Sequence, residues 1–260
     1  TASATRRTRT RFTRAALVGG ALATLLFLWL LTRGTFNLFE WQRVGEFYDQ
    51  QAHSFLHGHI TIDPNYLGIE AFTVDGKSNI YQGPVPALLR VPVVAVAGHS
   101  LDGRLTQVSI LLGFLVALYF ASRIHWQTRR ILRDDDPLSR TELFLVGLFT
   151  FVIGAGSTLL FEASRAWVYH EALVWGAAFA LAAIDALVAY VRRPTVLHLG
   201  AASLFATLCL LSRASVGMGP VAGIGALLVG SVALVLARRW PGRAWALVTW
   251  LAPTRASAGA

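Results

Sequence analysis

The stretch AALVGGALATLLFLWLLT, residues 15–32, decides the class of fold to which this chain belongs. It is almost wholly apolar and carries no charge, and a helix of about 20 such residues crosses a hydrocarbon layer about 30 Å thick. Five further apolar runs of similar length follow it, at 105–122, 142–161, 171–191, 196–212 and 219–237. A seventh run, 244–252, is too short to cross and stops at Pro253. The sequence therefore predicts an all-α fold, a polytopic transmembrane helical bundle of about six or seven spans.

The composition is that of a membrane protein. Hydrophobic residues make up 55% of the chain and charged residues only 14%, whereas about a quarter of the residues in a soluble domain are charged. The single cysteine, Cys209, lies inside a predicted span. An intramolecular disulfide is therefore excluded, and catalysis by a thiol is not expected.

The positions of the basic residues indicate how the chain is oriented. Fifteen of the 23 Lys and Arg residues fall in four places that share one side of the membrane if each run crosses once: Arg6 to Arg14, Arg123 to Arg140, Arg192 with Arg193, and Arg238 to Arg243. Such an excess marks the cytoplasmic side. We therefore expect a multi-pass protein of the plasma membrane with a basic cytoplasmic N-terminus at residues 1–14. The net charge of +9 is explained by topology, and we expect no nucleic-acid partner.

By the same rule, residues 33–104 form a large extracytoplasmic loop between the first two spans. Residues 105–252 make up the remaining transmembrane bundle, and residues 253–260 read as a C-terminal tail. The chain lacks an initiator methionine and stops near what reads as the beginning of another span. We therefore expect it to be part of a longer protein.

The first part of the loop is predicted to form an amphipathic helix over 42–57. Acidic and histidine side chains share one stripe of this helix at spacings i, i+3, i+7 and i+11, namely Glu46, Asp49, His53 and His57. Either carboxylate could act as a general base, because partial desolvation at a membrane surface raises the pKa of a carboxyl group. The alternative is a solvated face of an interfacial helix.

Three histidines near this stripe, His53, His57 and His59, could be metal ligands. The sequence offers no convincing complete ligand set around them. We therefore expect neither a metal ion nor another cofactor.

The second part of the loop carries strand and turn signals. Residues 69–75 and 78–82 alternate as the strands of a short hairpin that turns at Asp75-Gly76. Prolines at 84, 86 and 92 are then expected to break regular structure. The apolar segment 85–98 is too short to cross the membrane, so we expect a re-entrant or interface-lying element there.

Three arginines, Arg90, Arg165 and Arg213, lie on the extracytoplasmic side against the prevailing charge rule. A guanidinium binds phosphate in a bidentate manner, which would suit an anionic lipid-phosphate substrate. The alternative is that each arginine only reaches up to lipid headgroups. The short loop 162–171 (EASRAWVYHE) includes His170 and faces the same side, where it could add to one site or form an aromatic-belt turn.

One carboxylate, Asp185, falls within the fourth predicted span. An ionisable residue inside a membrane is a functional candidate by default. Asp185 also lies about two turns from Arg192, so a pair near the cytoplasmic end of the span explains it equally well.

The loop has a family resemblance. An acidic residue soon after the first span, then YDQQAHSFLHGHI (48–60), then DGK, a tyrosine and GPVPALLRVP within 75–92, resembles the first extracytoplasmic loop of bacterial GT-C-type glycosyltransferases. These enzymes are relatives of protein O-mannosyltransferases and aminoarabinose transferases. The similarity covers roughly residues 35–100 and extends more loosely to SRAS at 212–215.

The resemblance implies an inverting transfer of a sugar from a polyprenyl-phosphate donor to an acceptor at the outer membrane face. The first-loop carboxylate would deprotonate the acceptor hydroxyl, with Asp49 preferred and Glu46 second. Arg165 or Arg213 would stabilise the leaving lipid phosphate. The remaining candidate substrate-binding residues are Arg90, His53, Tyr81 and His170.

Two features depart from the family pattern. The usual adjacent acidic pair is replaced by Glu-Phe-Tyr-Asp at 46–49, which leaves the identity of the base open. These enzymes also commonly have more spans and often a C-terminal extracytoplasmic domain. Two other classes therefore stay in consideration, a transporter or flippase of a lipid-linked intermediate and a non-catalytic membrane assembly protein. Membrane lipids are expected partners in each case, and protein partners are not indicated.

Overall fold

The computed structural model describes residues 2–42, 46–133 and 136–239 of the chain. Within these ranges the fold is helical apart from one two-stranded antiparallel sheet, as the all-α prediction requires. The helices are α1 (Ala2–Leu31), α2 (Glu46–Leu56), α3 (Pro64–Leu67), α4 (Val85–Ala97), α5 (Thr106–Arg133), α6 (Arg140–Ala155), α7 (Thr158–Phe161), α8 (Val168–Arg192), α9 (Val196–Ser212) and α10 (Ala214–Arg239). The strands are β1 (Phe72–Val74) and β2 (Lys77–Asn79).

Among the described residues, four helices are long and apolar enough to cross a membrane by length and composition. They are Thr5–Leu31, Thr106–Arg133, Val168–Arg192 and Ala214–Val235. A fifth candidate is obtained if Arg140–Ala155 and Thr158–Ser164, bent by 41°, form one broken span.

The membrane-type helical bundle is thus confirmed, with fewer candidate spans than the six or seven predicted. The predicted span 196–212 is a helix with those bounds, but its 17 residues fall short of the roughly 20 that a straight crossing needs. The predicted run 244–252 and the tail 253–260 lie outside the described residues.

Two helices extend beyond the spans predicted for them. Helix α1 begins at Ala2, so the described part of the basic segment, residues 2–14, continues the apolar helix instead of preceding it as a separate terminus. Arginine is a good helix former, so nothing in that segment ends a helix. Helix α5 runs to Arg133 and carries Arg130 in its last turn, where a positive charge interacts favourably with the helix dipole.

The core of the bundle is made by α1, α5, α8 and α9, with Ala23, Ile110, Val174 and Cys209 among its fully buried members. The rings of Phe27 and Phe114 stack with their centroids 3.8 Å apart. A polar contact also joins α8 to α5 in this core, where the indole Nε1 of Trp175 donates to Ser109 Oγ at 2.9 Å. Many apolar side chains face outward. In α10, only 6% of the most apolar stretch of the helix is buried inside the protein. An apolar helix without a protein partner suits a lipid environment.

Residues 46–101, which we call the cap layer, cover one end of the bundle. Helix α2 packs against α4, and a small core that includes Phe47, Tyr48 and Ile80 lies beneath the hairpin. The strands pair with Phe72 opposite Asn79, and the turn lies at the predicted Asp75-Gly76, where both residues have positive φ. The predicted hairpin is therefore confirmed, although its strands are three residues each.

Helix α4 corrects the expectation that the prolines prevent regular structure. Its 13 residues are helical from Val85 to Ala97, with Pro86 in the first turn and Pro92 inside. A proline in the first turn loses no helical hydrogen bond, whereas an interior proline removes one. The helix buries Arg90 on one face and exposes apolar side chains on the other: Leu88, Leu89, Val93 and Val96. That exposed apolar face is typical of a helix lying at a membrane interface.

One close helix contact in the bundle is the crossing of α1 and α6 at Gly19 and Gly147. A Cβ atom added at Gly19 would lie 1.9 Å from the backbone oxygen of Gly147. The neighbouring Gly20 has more room, since its nearest atom is Thr150 Cγ2 at 3.7 Å. Small residues at such crossings let two backbones approach each other.

We predict that Gly19→Ala lowers stability by about 1–3 kcal/mol, because the new methyl group must push two backbones apart. Gly20→Ala is the matched control and should change stability little, since its methyl group meets only ordinary contacts. The measurement is reversible unfolding of the purified chain in detergent. Equal effects of the two changes would contradict the crossing.

Candidate functional site

One buried arginine joins three parts of the chain where the cap layer meets the bundle. Arg90 of α4 donates from Nη1 to Asp49 Oδ1 of α2 at 2.6 Å. It also donates from Nε to Glu171 Oε1 of α8 at 3.3 Å and from Nη2 to Glu171 Oε2. The exposed fractions of Asp49, Arg90 and Glu171 are 0%, 3% and 0%. We call these three residues the buried charge cluster.

Neighbouring groups hold the cluster in place. Arg90 Nη2 donates to Thr106 Oγ1 at 3.0 Å, and the guanidinium lies 5.7 Å from the ring centre of Tyr48. The second oxygen of Asp49 accepts the backbone N–H of Gly103 at 2.8 Å. A buried charge is tolerated only when it is paired and its remaining hydrogen-bonding positions are filled. These contacts meet that condition for Asp49 and Arg90.

The environment shifts the acid–base behaviour of the α2 side chains. Burial raises the pKa of Asp49 above its ordinary value, and Arg90 and the Gly103 N–H act in the opposite direction. Burial also raises the pKa of Tyr48 well above its usual range. The hydroxyl of Tyr48 is buried and has no hydrogen-bond partner among the described residues. An unmatched buried hydroxyl is costly, so it is a group that a substrate or a water molecule could satisfy.

The two carboxylates predicted as alternative bases lie in different settings. Asp49 belongs to the buried charge cluster. Glu46 is half-buried, and its Oε1 accepts a hydrogen bond from the indole Nε1 of Trp41 at 2.9 Å. The sequence places the two residues one helical turn apart but does not show that only Asp49 faces Arg90.

The other predicted substrate-binding arginines are more open than Arg90. Arg213 ends α9, is half-buried, and is close enough to Tyr48 to lower the pKa of that residue electrostatically. Arg165 is exposed, and its guanidinium lies 4.5 Å from the ring centre of Trp167. Of these two arginines, Arg213 therefore lies nearer the buried charge cluster by the contacts that the structure gives.

The remaining substrate-binding candidates, which we call the rim, lie outside the buried charge cluster. The Tyr81 ring is 53% exposed and lies 6.1 Å from that of Tyr169. His170 Nδ1 lies 3.2 Å from Glu162 Oε2, although the two atoms do not meet hydrogen-bond geometry. His53 lies one turn beyond Asp49 on α2, and its Nε2 is 3.1 Å from Asp102 Oδ1.

The three histidines that the sequence suggested as a metal group are not the group whose ligand atoms meet among the described residues. His57 and His59 line a cavity of about 210 Å³ together with His53. The side chains whose ligand atoms come within 4.8 Å of one another are instead His53, His99 and Asp102. His99 and Asp102 follow α4 in the chain, and spacing within α2 could not reveal them.

Asp185 does not pair with Arg192, the partner that one of the two sequence interpretations gave it. Asp185 Oδ2 pairs with Arg123 Nη2 of α5 at 3.0 Å, and Oδ1 accepts from Gln127 Nε2 at 2.5 Å. A neighbouring helix supplies both partners, because Asp185 is buried and faces α5 while Arg192 lies exposed at the helix end. Asp185 thus joins α8 to α5, towards the end of α8 opposite Glu171.

Sequence reasoning missed the partner of Arg90. Glu171 was noted only as part of the polar loop 162–171, yet it is fully buried in the first turn of α8. A carboxylate at the start of an otherwise apolar helix was the available signal. Arg90 and Glu171 are 81 residues apart, so only the folded chain shows that they meet.

Comparison with known proteins gave no match for this chain, either among protein-family models, among curated proteins or among solved structures.

We predict that Arg90→Gln destabilises the fold by about 3–5 kcal/mol, because Asp49 and Glu171 would lose the cation that pairs with them inside the protein. Arg123→Gln is the control and should lower stability less. The Arg123 side chain is 48% exposed, so water can take its place beside Asp185. Reversible unfolding in detergent gives both values. Adding Asp49→Asn and Glu171→Gln to the first variant should recover part of the loss, and no recovery would contradict the pairing.

We predict that Gly103→Ala is more damaging than Gly76→Ala, although both glycines have nearly the same positive φ of +72° and +74°. The shared backbone strain costs about 1–2 kcal/mol in each case. At Gly103 the new Cβ would also lie 2.5 Å from Trp41 Nε1 and disturb the turn that bonds Asp49, whereas at Gly76 it meets nothing within 4 Å. Thermal unfolding of the two variants measures the difference, and equal losses would contradict the tight packing of this turn.

Proposed function

We propose that this chain is a membrane glycosyltransferase of the GT-C type, which moves a sugar from a polyprenyl-phosphate donor to an extracytoplasmic acceptor. The observation that carries the proposal is the meeting of Asp49, Arg90 and Glu171 where the cap layer joins the bundle. Ionisable residues gathered at the end of a membrane bundle, with a shifted carboxyl pKa, are typical of a functional site.

The proposed topology counts six crossings. Helix α9 and the bent pair of α6 and α7 are included as short or broken spans, in addition to the four long helices. The basic ends of α1 and α5 then face the cytoplasm, and the cap layer and the start of α8 face outward. A lipid-linked donor would reach the site from the outer leaflet.

In the proposed reaction, the acceptor hydroxyl oxygen attacks the anomeric carbon of the donor sugar. A new glycosidic bond forms, the bond between carbon and phosphate oxygen breaks, and the lipid phosphate leaves with the electron pair. Asp49 takes the proton of the hydroxyl. A buried carboxyl group with a raised pKa is a better base than an ordinary one near neutral pH.

Each group around the cluster has a proposed part in this reaction. Arg213 contacts the leaving phosphate, since it is half-buried and lies near Tyr48, and Arg165 gives a second contact from the open side. Arg90 and Glu171 fix the position of Asp49. Side chains of the rim, Tyr81, His170 and His53, contact the sugar or the acceptor.

Catalysis by Asp49 requires that its carboxylate becomes accessible. It is fully buried, and one oxygen is held by the N–H of Gly103. The acceptor would therefore have to displace the Asp102-Gly103 turn when it binds. Substrate binding commonly completes a catalytic site through such loop movements.

The two competing classes fit these observations less well. A transporter or flippase should place polar groups along a path near the bilayer midplane. The other buried carboxylate of α8, Asp185, instead pairs with the half-exposed Arg123 towards the other end of the helix. A non-catalytic assembly protein would need no carboxylate of raised pKa beside an arginine. Both remain as outcomes of the experiment below.

We predict that Asp49→Asn reduces sugar transfer at least about 100-fold, because general-base catalysis contributes about 10² to 10⁴ in rate. The assay measures transfer from a polyprenyl-phosphate sugar by the purified chain in proteoliposomes. Asp185→Asn is the control, since it removes a buried carboxylate from the far end of α8 and should leave transfer near the wild-type rate.

The pH dependence gives a second reading of the same assay. The base must be ionised, so kcat/KM should fall as the pH drops through the raised pKa of Asp49. Replacement by Asn should abolish this acid limb in any residual activity. Unchanged transfer by Asp49→Asn would show that Asp49 is not the base and would favour Glu46 in that role. Movement of the lipid donor across the bilayer without a new glycosidic bond would favour a flippase instead.

A further inference from the structure

Two histidines and one aspartate gather at the edge of the cap layer, outside the buried charge cluster. His53 Nε2 of α2 lies 3.1 Å from Asp102 Oδ1, and His99 Nδ1 lies 2.8 Å from Asp102 Oδ2. The two imidazole rings are stacked, with their centroids 3.9 Å apart and their planes 22° from parallel. Each residue offers one ligand atom, and these three atoms lie within 4.8 Å of one another.

These side chains are the kinds that bind zinc-like ions. Imidazole nitrogen and carboxylate oxygen bind Zn²⁺ at about 2.0–2.2 Å, so two ligand atoms of a tetrahedral site lie about 3.3 Å apart. The contacts of Asp102 with each histidine are already near this separation. The remaining adjustment falls on the imidazole of His99, whose side chain is 75% exposed and can rotate.

A supporting contact positions the carboxylate. Gln50 Nε2, one turn before His53 on α2, donates to Asp102 Oδ2 at 3.3 Å. Hydrogen bonds of this kind hold a metal-binding carboxylate in its orientation. The side chains of His53 and Asp102 are 13% and 14% exposed, so two ligands are held firmly while the third faces solvent.

The setting differs from that of the buried charge cluster. There the guanidinium of Arg90 already pairs with both carboxylates, whereas Asp102 is paired with imidazoles, which carry charge only when protonated. A cation from solution can reach Asp102 past His99. Three protein ligands with one position open to water are typical of catalytic and ligand-binding zinc sites.

We propose that His53, His99 and Asp102 form a binding site for one divalent transition-metal ion with the coordination preferences of Zn²⁺. The site differs from the His53, His57 and His59 group that the sequence suggested, and it replaces the expectation of a metal-free protein. It does not rest on the proposed glycosyltransferase activity. The site includes Asp102, whose chain neighbour Gly103 donates its backbone N–H to the carboxylate of Asp49.

The test uses the full chain, purified in detergent without a polyhistidine tag and titrated with Co²⁺. We expect one Co²⁺ per chain, with the intense visible absorption of a four- or five-coordinate ion, and its displacement by Zn²⁺. Zn²⁺ should also raise the unfolding temperature, since an ion that binds only the folded chain stabilises it. Titration without this absorption, or without saturation near one ion, would overturn the proposal.

Single variants locate the ion. His99→Ala should lower the affinity by about 100-fold or more, since loss of a supporting residue alone costs about 10–100-fold. This exposed residue can be removed without disturbing the fold, and Asp102→Asn should act in the same direction. His59→Ala, an exposed histidine of the same layer, is the control and should bind as wild type. Loss of binding in His59→Ala with retention in His99→Ala would overturn the assignment.

Discussion

The burial of Arg90 between two carboxylates ties the cap layer to the helical bundle. The guanidinium of Arg90, which belongs to α4, contacts α2 through Asp49 and α8 through Glu171. One buried cation therefore joins three segments that are distant in the chain. None of these charges could stay buried alone, because an unpaired ion inside a protein costs several kcal/mol. Helix α4 can contain two prolines and still hold its position because its one buried charge is fixed from both sides.

Helical spacing and hydropathy predicted what depends on local chemistry. The apolar runs that lie within the described residues are helical, the turn forms at Asp75-Gly76, and α9 has the bounds that its sequence indicated. The predicted beginning of α1 is too late and the predicted end of α5 too early, because arginine is a good helix former and a helix can continue beyond its apolar run. The helix at 85–97 was also not predicted. Its prolines indicate a break in regular structure, but the packing around α4 outweighs that local preference.

Contacts between distant segments could not be predicted in this way. Asp49 is a candidate because of its place in the acidic and histidine stripe of α2. Arg90 is one because it is predicted on the extracytoplasmic side, where arginine is less common. Only the folded chain shows that the two residues pair. Asp185 shows the same limit, because its partner comes from α5 and not from its own helix. Nothing in the sequence indicates that His99 and Asp102 lie beside His53, because the three residues meet only through the turn that follows α4.

Helix α8 is held at both ends by buried charges that belong to different neighbours. Near its start Glu171 is bound to α4, and 14 residues later, about 21 Å along the axis, Asp185 is bound to α5. Sliding or turning this helix would break at least one of these pairs, so α8 is held in position relative to both α4 and α5. Under the proposed function, the movement that admits a substrate would come from the segments around α8, and the Asp102-Gly103 turn, which bonds Asp49, is one of them.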